Sequence, residues 1–174
     1  MNRVVTRIAC VAAGIAVSAA GLSGAGAAGA ARASGPDGSL PVSGILTGVA
    51  ATSARNAWAV GQVNDFGKNL ILHWNGTRWK RVLSPSPLGA QLHGVAATSA
   101  TNAWTVGQAD TGTLILHWNG TAWHRVSSQS PAHASSIDLA AVAATSAENA
   151  WAVGQLNFSK TLILHWNGTA WKRR

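Results

Sequence analysis

The chain has 174 residues, nine tryptophans, no tyrosine, one cysteine and a formal charge of +8 from 13 basic and five acidic residues. That length sets a prior of one domain, and a lone cysteine excludes a disulfide-stapled core. A basic balance without a patterned basic stripe argues against a nucleic-acid partner.

In chain order, Arg3 and Arg7 precede an apolar run from Ile8 to Leu22, and small-residue sites follow at Ala25-Gly26-Ala27 and Ala28-Gly29-Ala30. This is the pattern of a secretory signal peptide over residues 1–33. It is too short for a good membrane span and lacks the adjacent arginines of a twin-arginine signal. Cys10 lies inside it, with Arg7 where a lipoprotein signal needs an apolar residue. The expected mature protein is extracellular, with no membrane span and a core held by packing alone. Loss of Arg3, Arg7 and Arg32 leaves ten basic against five acidic residues, a charge of +5, of which Lys172, Arg173 and Arg174 supply three. A basic tail attracts acidic polysaccharide, membrane surface or nucleic acid; its plainer role is solubility. A Gly/Ser/Pro/Asp linker is expected over residues 34–45.

From Leu46 the chain repeats itself. Trp58, Trp104 and Trp151 are 46 and 47 residues apart, and Trp74, Trp118 and Trp166 are 44 and 48 apart. A period in the forties points to a propeller or array. Each repeat reads as four strands. The first (46–52, 92–98, 139–145) is rich in Gly and Ala, which suits a crowded innermost position. The second carries Ala57-Trp58-Ala59-Val60-Gly61-Gln62 and its copies, and a variable loop follows (63–69, 109–113, 156–161). The third and fourth form a hairpin written three times, Leu114-Ile115-Leu116-His117-Trp118-Asn119-Gly120-Thr121-Ala122-Trp123 in its central copy. Alternation marks its strands, and Asn-Gly predicts a type I′ turn with two positive φ angles. The expectation is an all-β chain of three four-stranded antiparallel propeller blades at 46–83, 92–128 and 139–174.

The pattern G-V-A-A-T-S-A-x-N-A-W-x-V-G-Q followed by L-I-L-H-W-N-G-T-x-W resembles the tryptophan-rich propeller repeats of secreted bacterial proteins, described as kelch-like or galactose-oxidase-like. The resemblance covers Leu46 to Arg174 and implies fold more than function. The chain departs from neighbouring families. The Gly-His and Trp-Asp signatures of WD40 blades do not recur, and the kelch double glycine is absent. The hairpin is similar to the Asp-box of sialidase-type propellers but lacks its leading aspartate. Without tyrosine or a mature cysteine, the Tyr–Cys copper cofactor of galactose oxidase cannot form.

Three blades fall short of the four to eight of known propellers. With two or three tryptophans uncovered, an open arc would expose roughly 500 Å² of apolar surface, at the limit a soluble monomer tolerates. Three readings follow: a truncated piece of a longer propeller, a homo-oligomer that completes the ring, or an open monomer.

Paired-carboxylate catalysis needs two acids at fixed separation. Asp37, Asp65, Asp110, Asp138 and Glu148 fall at non-repeating positions, so no catalytic residue and no cofactor is expected. His73, His117 and His165 repeat, but on a third strand away from the axis and without ligand spacing, so no metal is expected. A hydrogen bond between blades is the expected role of these histidines. His93, His124 and His133 do not repeat. Trp58, Trp104 and Trp151 read as inter-blade packing residues, and Trp74, Trp118 and Trp166 as structural members of the repeat. Trp79, Trp123 and Trp171 fall toward the outer edge, where an exposed indole face stacks on a sugar ring, and are the candidate ligand-binding residues. The sequons at Asn75, Asn119 and Asn167 read as by-products of the turn. The functional expectation is a secreted, non-enzymatic module for binding or scaffolding, with an extracellular glycan or surface protein as partner. The alternative is a fragment of a larger hydrolase or oxidase whose catalytic residues lie outside this chain.

Overall fold

The computed structural model describes residues 43–63, 67–129 and 136–174. The expected leader, most of the expected linker, Asp37, Asp65 and His133 lie outside the described residues.

Twelve strands fall into three sheets. The first holds β1 (Gly44–Ser53), β2 (Asn56–Val63), β3 (Asn69–Trp74) and β4 (Trp79–Arg81). The second holds β5 (Gln91–Ser99), β6 (Asn102–Ala109), β7 (Gly112–Trp118) and β8 (Trp123–Arg125). The third holds β9 (Ile137–Ala144), β10 (Ala150–Leu156), β11 (Lys160–Trp166) and β12 (Trp171–Arg173). Each sheet is an antiparallel meander in chain order, with strand preceding the expected start by two residues at Gly44. Registers repeat as well: Trp58 faces His73, Trp104 faces His117 and Trp151 faces His165 across the second and third strands.

The sheets stack through their first strands, β1 against β5 and β5 against β9. Small residues there have a physical cause. A Cβ on Gly48 would come within 2.9 Å of the His93 carbonyl oxygen, and one on Gly94 within 2.9 Å of Ala141 Cα. Side chains also tie neighbouring first strands together. Thr47 Oγ1 donates to the Leu92 carbonyl at 2.6 Å, and His93 Nδ1 to the Leu139 carbonyl at 3.2 Å.

Period-two alternation sends Trp58, Val60 and Ile71 toward the second sheet, where they bury with Leu92, Ala103, Leu114, Leu116 and Trp123. Trp104, Val106 and Ile115 meet Leu139, Ala150, Ala152, Leu164 and Trp171 in the same way. Burial at about 25 cal/mol per Å² of apolar area makes these two junctions the main stabilising term. A smaller cluster of Ala59, Val63, Leu70 and Leu72 has Trp79 packed on it.

The hairpin turns differ from expectation. Gly76, Gly120 and Gly168 have positive φ, whereas Asn75, Asn119 and Asn167 do not. The loop runs over four residues, closed by a backbone bond from Asn75 N to the Arg78 carbonyl at 3.4 Å and its copies at 3.3 and 3.4 Å, and reinforced by the asparagine side chain. Asn75 Oδ1 accepts from Thr77 N, Thr77 Oγ1 and Arg78 N at 2.8–3.1 Å, and the other copies repeat this. An Asx turn thus bonds the backbone amides inside the loop that the main chain alone leaves unpaired.

Candidate functional site

The repeated polar residues turn inward. His73 Nε2 lies 2.7 Å from Asn56 Oδ1, and Asn56 Nδ2 donates to Thr52 Oγ1 at 2.6 Å. His117–Asn102–Thr98 and His165–Asn149–Thr145 repeat the relay. Because each asparagine oxygen faces the ring, the histidine donates from Nε2. The imidazole also stacks on a tryptophan of its own sheet, with centroids 4.1–4.2 Å apart. The expected hydrogen bond between blades is therefore corrected: register places His and Asn on adjacent strands of one sheet. Burial pushes the His73 and His117 pKa values down, aided at His117 by the nearby His124.

The tryptophans divide. Trp58 and Trp104 are fully buried at sheet junctions, as expected, while Trp151 is 42% exposed because no described sheet covers it. Trp74, Trp118 and Trp166 each donate Nε1 to a carbonyl of the neighbouring turn at 3.0 Å. Trp123 and Trp171 correct the expectation of exposed ligand platforms. They are 3% and 1% exposed and meet Trp58 and Trp104 edge to face. The short outer strand turns its one tryptophan toward the preceding sheet, so the outer edge shows basic residues instead. Trp79, on the first sheet, is half-buried.

Among the described residues no group of three or more His, Cys, Asp or Glu is placed to hold a metal. The described acids sit on separate elements: Asp110 on the β6–β7 tip, Asp138 on β9 and Glu148 in the β9–β10 turn. Asp138 is paired with His93 at 2.8 Å. That close contact with the carboxylate is the main cause raising the His93 pKa, against partial burial. A raised histidine contributes stability that is fully present below its unfolded pKa and is lost as pH rises through its folded pKa. His93→Gln is thus expected to cost more at pH 5.5 than at pH 8.5, as urea titrations at about those two values would read. An equal cost at both would sever the pair from stability. His73 and His117 act oppositely, their contribution fading as pH falls, so only the difference between parent and variant isolates His93.

The two ends of the sheets are unlike. Antiparallel order places the β1–β2 and β3–β4 turns at one end, where the three copies share the Asn-Gly-Thr sequence. The β2–β3, β6–β7 and β10–β11 loops share the other end with the connectors between sheets, and there the copies diverge. Asp110 N donates to the Leu88 carbonyl at 3.1 Å, joining a loop to a connector. Leu83, Leu88 and Phe158 are exposed at this end, Phe158 with positive φ.

A cavity of about 150 Å³ opens among these loops, lined by Thr111, Thr113, Arg125, Val126, Ser127 and Ser128. Arg125 Nη2 donates to Thr111 Oγ1 at 3.2 Å, and Thr113 and Ser128 hydroxyls lie 2.6 Å apart. The polar lining is one guanidinium and four hydroxyls, with no acid, beside the single apolar Val126. It can hydrogen-bond hydroxyls or an anion, and it supplies no proton acceptor of carboxylate strength. Sequence reasoning passed over this site because Thr111 and Ser127 belong to a loop and a connector whose residues do not repeat there.

Comparison of the fold gives three informative likenesses. The structure of YCF48 bound to D1 peptide matches with a TM-score of 0.58 and 15% identity over 77% of this chain and 40% of that one. YCF48 from Cyanidioschyzon merolae matches with 0.55 and 19% over 78% and 38%. These three sheets are propeller blades. A fucose lectin from Kordia zhangzhouensis in complex with methyl-fucoside also matches, with 0.52 and 10% over 72% of this chain and 96% of that one. The chain spans about 40% of the YCF48 structures and nearly all of the lectin. No protein-family model and no curated protein sequence matches the chain. Identities this low speak for the blades alone.

Proposed function

We propose that this chain is an exported, non-enzymatic binding module that presents its variable loop end to a glycan. The observation that carries the reading is the cavity at that end, where Arg125 and the hydroxyls of Thr111, Thr113, Ser127 and Ser128 converge. A site rich in hydroxyls and short of acids suits the ring oxygens and hydroxyls of a sugar, and its volume suits a single residue of a chain. Below about 300 Å³ it is smaller than the usual drug-sized pocket, so further sugar units would lie along the exposed loops. The structural likeness to a lectin that holds methyl-fucoside supports the ligand class, and the likeness to a propeller that holds a peptide supports binding in general. The leader-like pattern of residues 1–33 supports export.

A glycan array followed by calorimetry on the hits tests this. Arg125→Ala is expected to weaken the best ligand about tenfold or more, the worth of a hydrogen bond from a charged donor. A silent array, or a ligand indifferent to Arg125→Ala, would defeat the reading.

A further inference from the structure

The positive charge of the repeats gathers on their outer strands. After its tryptophan, each of these strands carries two exposed residues: Lys80 and Arg81, His124 and Arg125, Lys172 and Arg173. The middle pair belongs to a sheet packed on both sides, β1 against β5 and β5 against β9. Exposure here is therefore a property of the blade and not of an uncovered sheet. Charge on a short outer strand also keeps that edge from pairing with other chains. That role asks nothing of the surroundings, and the surroundings of Arg125 go further.

Arg125 Nη2 donates to Thr111 Oγ1 at 3.2 Å, which uses one of the several N–H donors of the guanidinium. Among the described residues no carboxylate stands within ion-pair distance of it. Asp138 is held by His93 at 2.8 Å. Glu148 lies beside Gly168, and Asp110 turns toward Gly89, where a Cβ would run into its carboxylate. From Arg125 the connector that carries Ser127 and Ser128 leads to the next outer strand. Ser128 bridges Trp171 in parallel, and Gln129 N donates to the Trp171 carbonyl at 3.4 Å. Lys172 and Arg173 follow in the same direction, so the connector has a cation behind it and two more alongside.

We infer that the ligand is an acidic polysaccharide, with the carboxylate of one uronic acid on Arg125 and the sugars beyond it running over Ser127 and Ser128 to Lys172 and Arg173. An acidic ligand presupposes the glycan-binding module proposed above and adds its charge. A neutral sugar offers Arg125 hydroxyl acceptors only. A carboxylate meets the planar guanidinium with two parallel bonds, each about twice as strong as a neutral one. The hydroxyls of Thr111, Thr113, Ser127 and Ser128 are then left for the ring hydroxyls.

Calorimetry of the 174-residue chain uses two probes, an oligouronate and the same oligosaccharide with its carboxylates reduced to primary alcohols. The two share their ring hydroxyls and differ in charge. The acidic form should bind about tenfold or more tighter. The gap should narrow between about 0.05 and 0.5 M salt, as screening shortens the reach of the charges. Arg125→Lys keeps the charge without the fork and should still weaken the oligouronate about threefold or more. Replacing Lys172 and Arg173 together by alanine should weaken it by a similar factor of about three. Arg78→Ala removes one charge from the Asn-Gly-Thr end and should leave the affinity within about twofold. Equal affinity for the two forms, still dependent on Arg125, would overturn the acidic ligand and leave the glycan module standing. No binding of either form would overturn it too, and a silent glycan array beside that result would remove the module as well. A single-stranded oligonucleotide of matched charge that binds as tightly, or a loss at Arg78→Ala as large as at Arg125→Lys, would show an unselective polycation and defeat the inference.

Discussion

Trp104→Ala is expected to lower the free energy of unfolding by about 3–5 kcal/mol, against under about 2 kcal/mol for Trp151→Ala measured where the chain is monomeric. The two tryptophans occupy the same place in successive blades and stack on the same histidine. They differ in what lies on the other side. Trp104 is covered by Trp166 and Trp171, whereas Trp151 is 42% exposed. Removing Trp104 leaves a cavity between two rigid sheets that cannot collapse onto it, and cavity volume is added to the lost transfer energy. Since a domain of this size holds about 5–15 kcal/mol in total, the first variant loses much of its stability. Urea titrations followed by far-ultraviolet circular dichroism would measure both. Equal losses would mean that the junction contributes nothing beyond the blade's own stack.

Asn102→Ala is the second large effect, at about 1–3 kcal/mol. Asn102 is 6% exposed, accepts from His117 Nε2 and donates to Thr98 Oγ1. The alanine leaves a half-buried imidazole N–H and a hydroxyl without their partners, and the cost is mostly that desolvation. Asn149, its counterpart in the third blade, makes the same bonds nearer to solvent, where water replaces a lost partner. Asn149→Ala should therefore cost less than Asn102→Ala in the same titration. The reverse order would show that burial does not set the cost of breaking this relay.

Much of the blade was legible because three copies agree. Strand positions, the meander and the burial of Trp58 and Trp104 follow from alternation read against the repeat. The direction of Trp123 and Trp171 does not. Alternation separates the two faces of a strand without saying which face a neighbour covers, and a three-residue strand is too short to show a pattern. The His–Asn contacts were also hidden, since Asn56 and His73 meet only through the register of β2 with β3. Their joint recurrence in all three copies was the available signal. The cavity at Arg125 was missed for the opposite reason. A search guided by repetition discards Thr111 and Ser127, which occur once and lie where the copies diverge.

Tryptophans of one blade pack against those of the next, and a double-mutant cycle on two pairs tests that packing most directly. Trp104 with Trp171 spans a junction at 5.3 Å, edge to face. Trp104 with Trp123 shares a blade, but the two side chains belong to separate core clusters on opposite faces. A coupling of about 0.5–1.5 kcal/mol or more is predicted for the first pair and near zero for the second. Coupling within the blade and none across the junction would contradict the stacking on which the fold and both proposals stand.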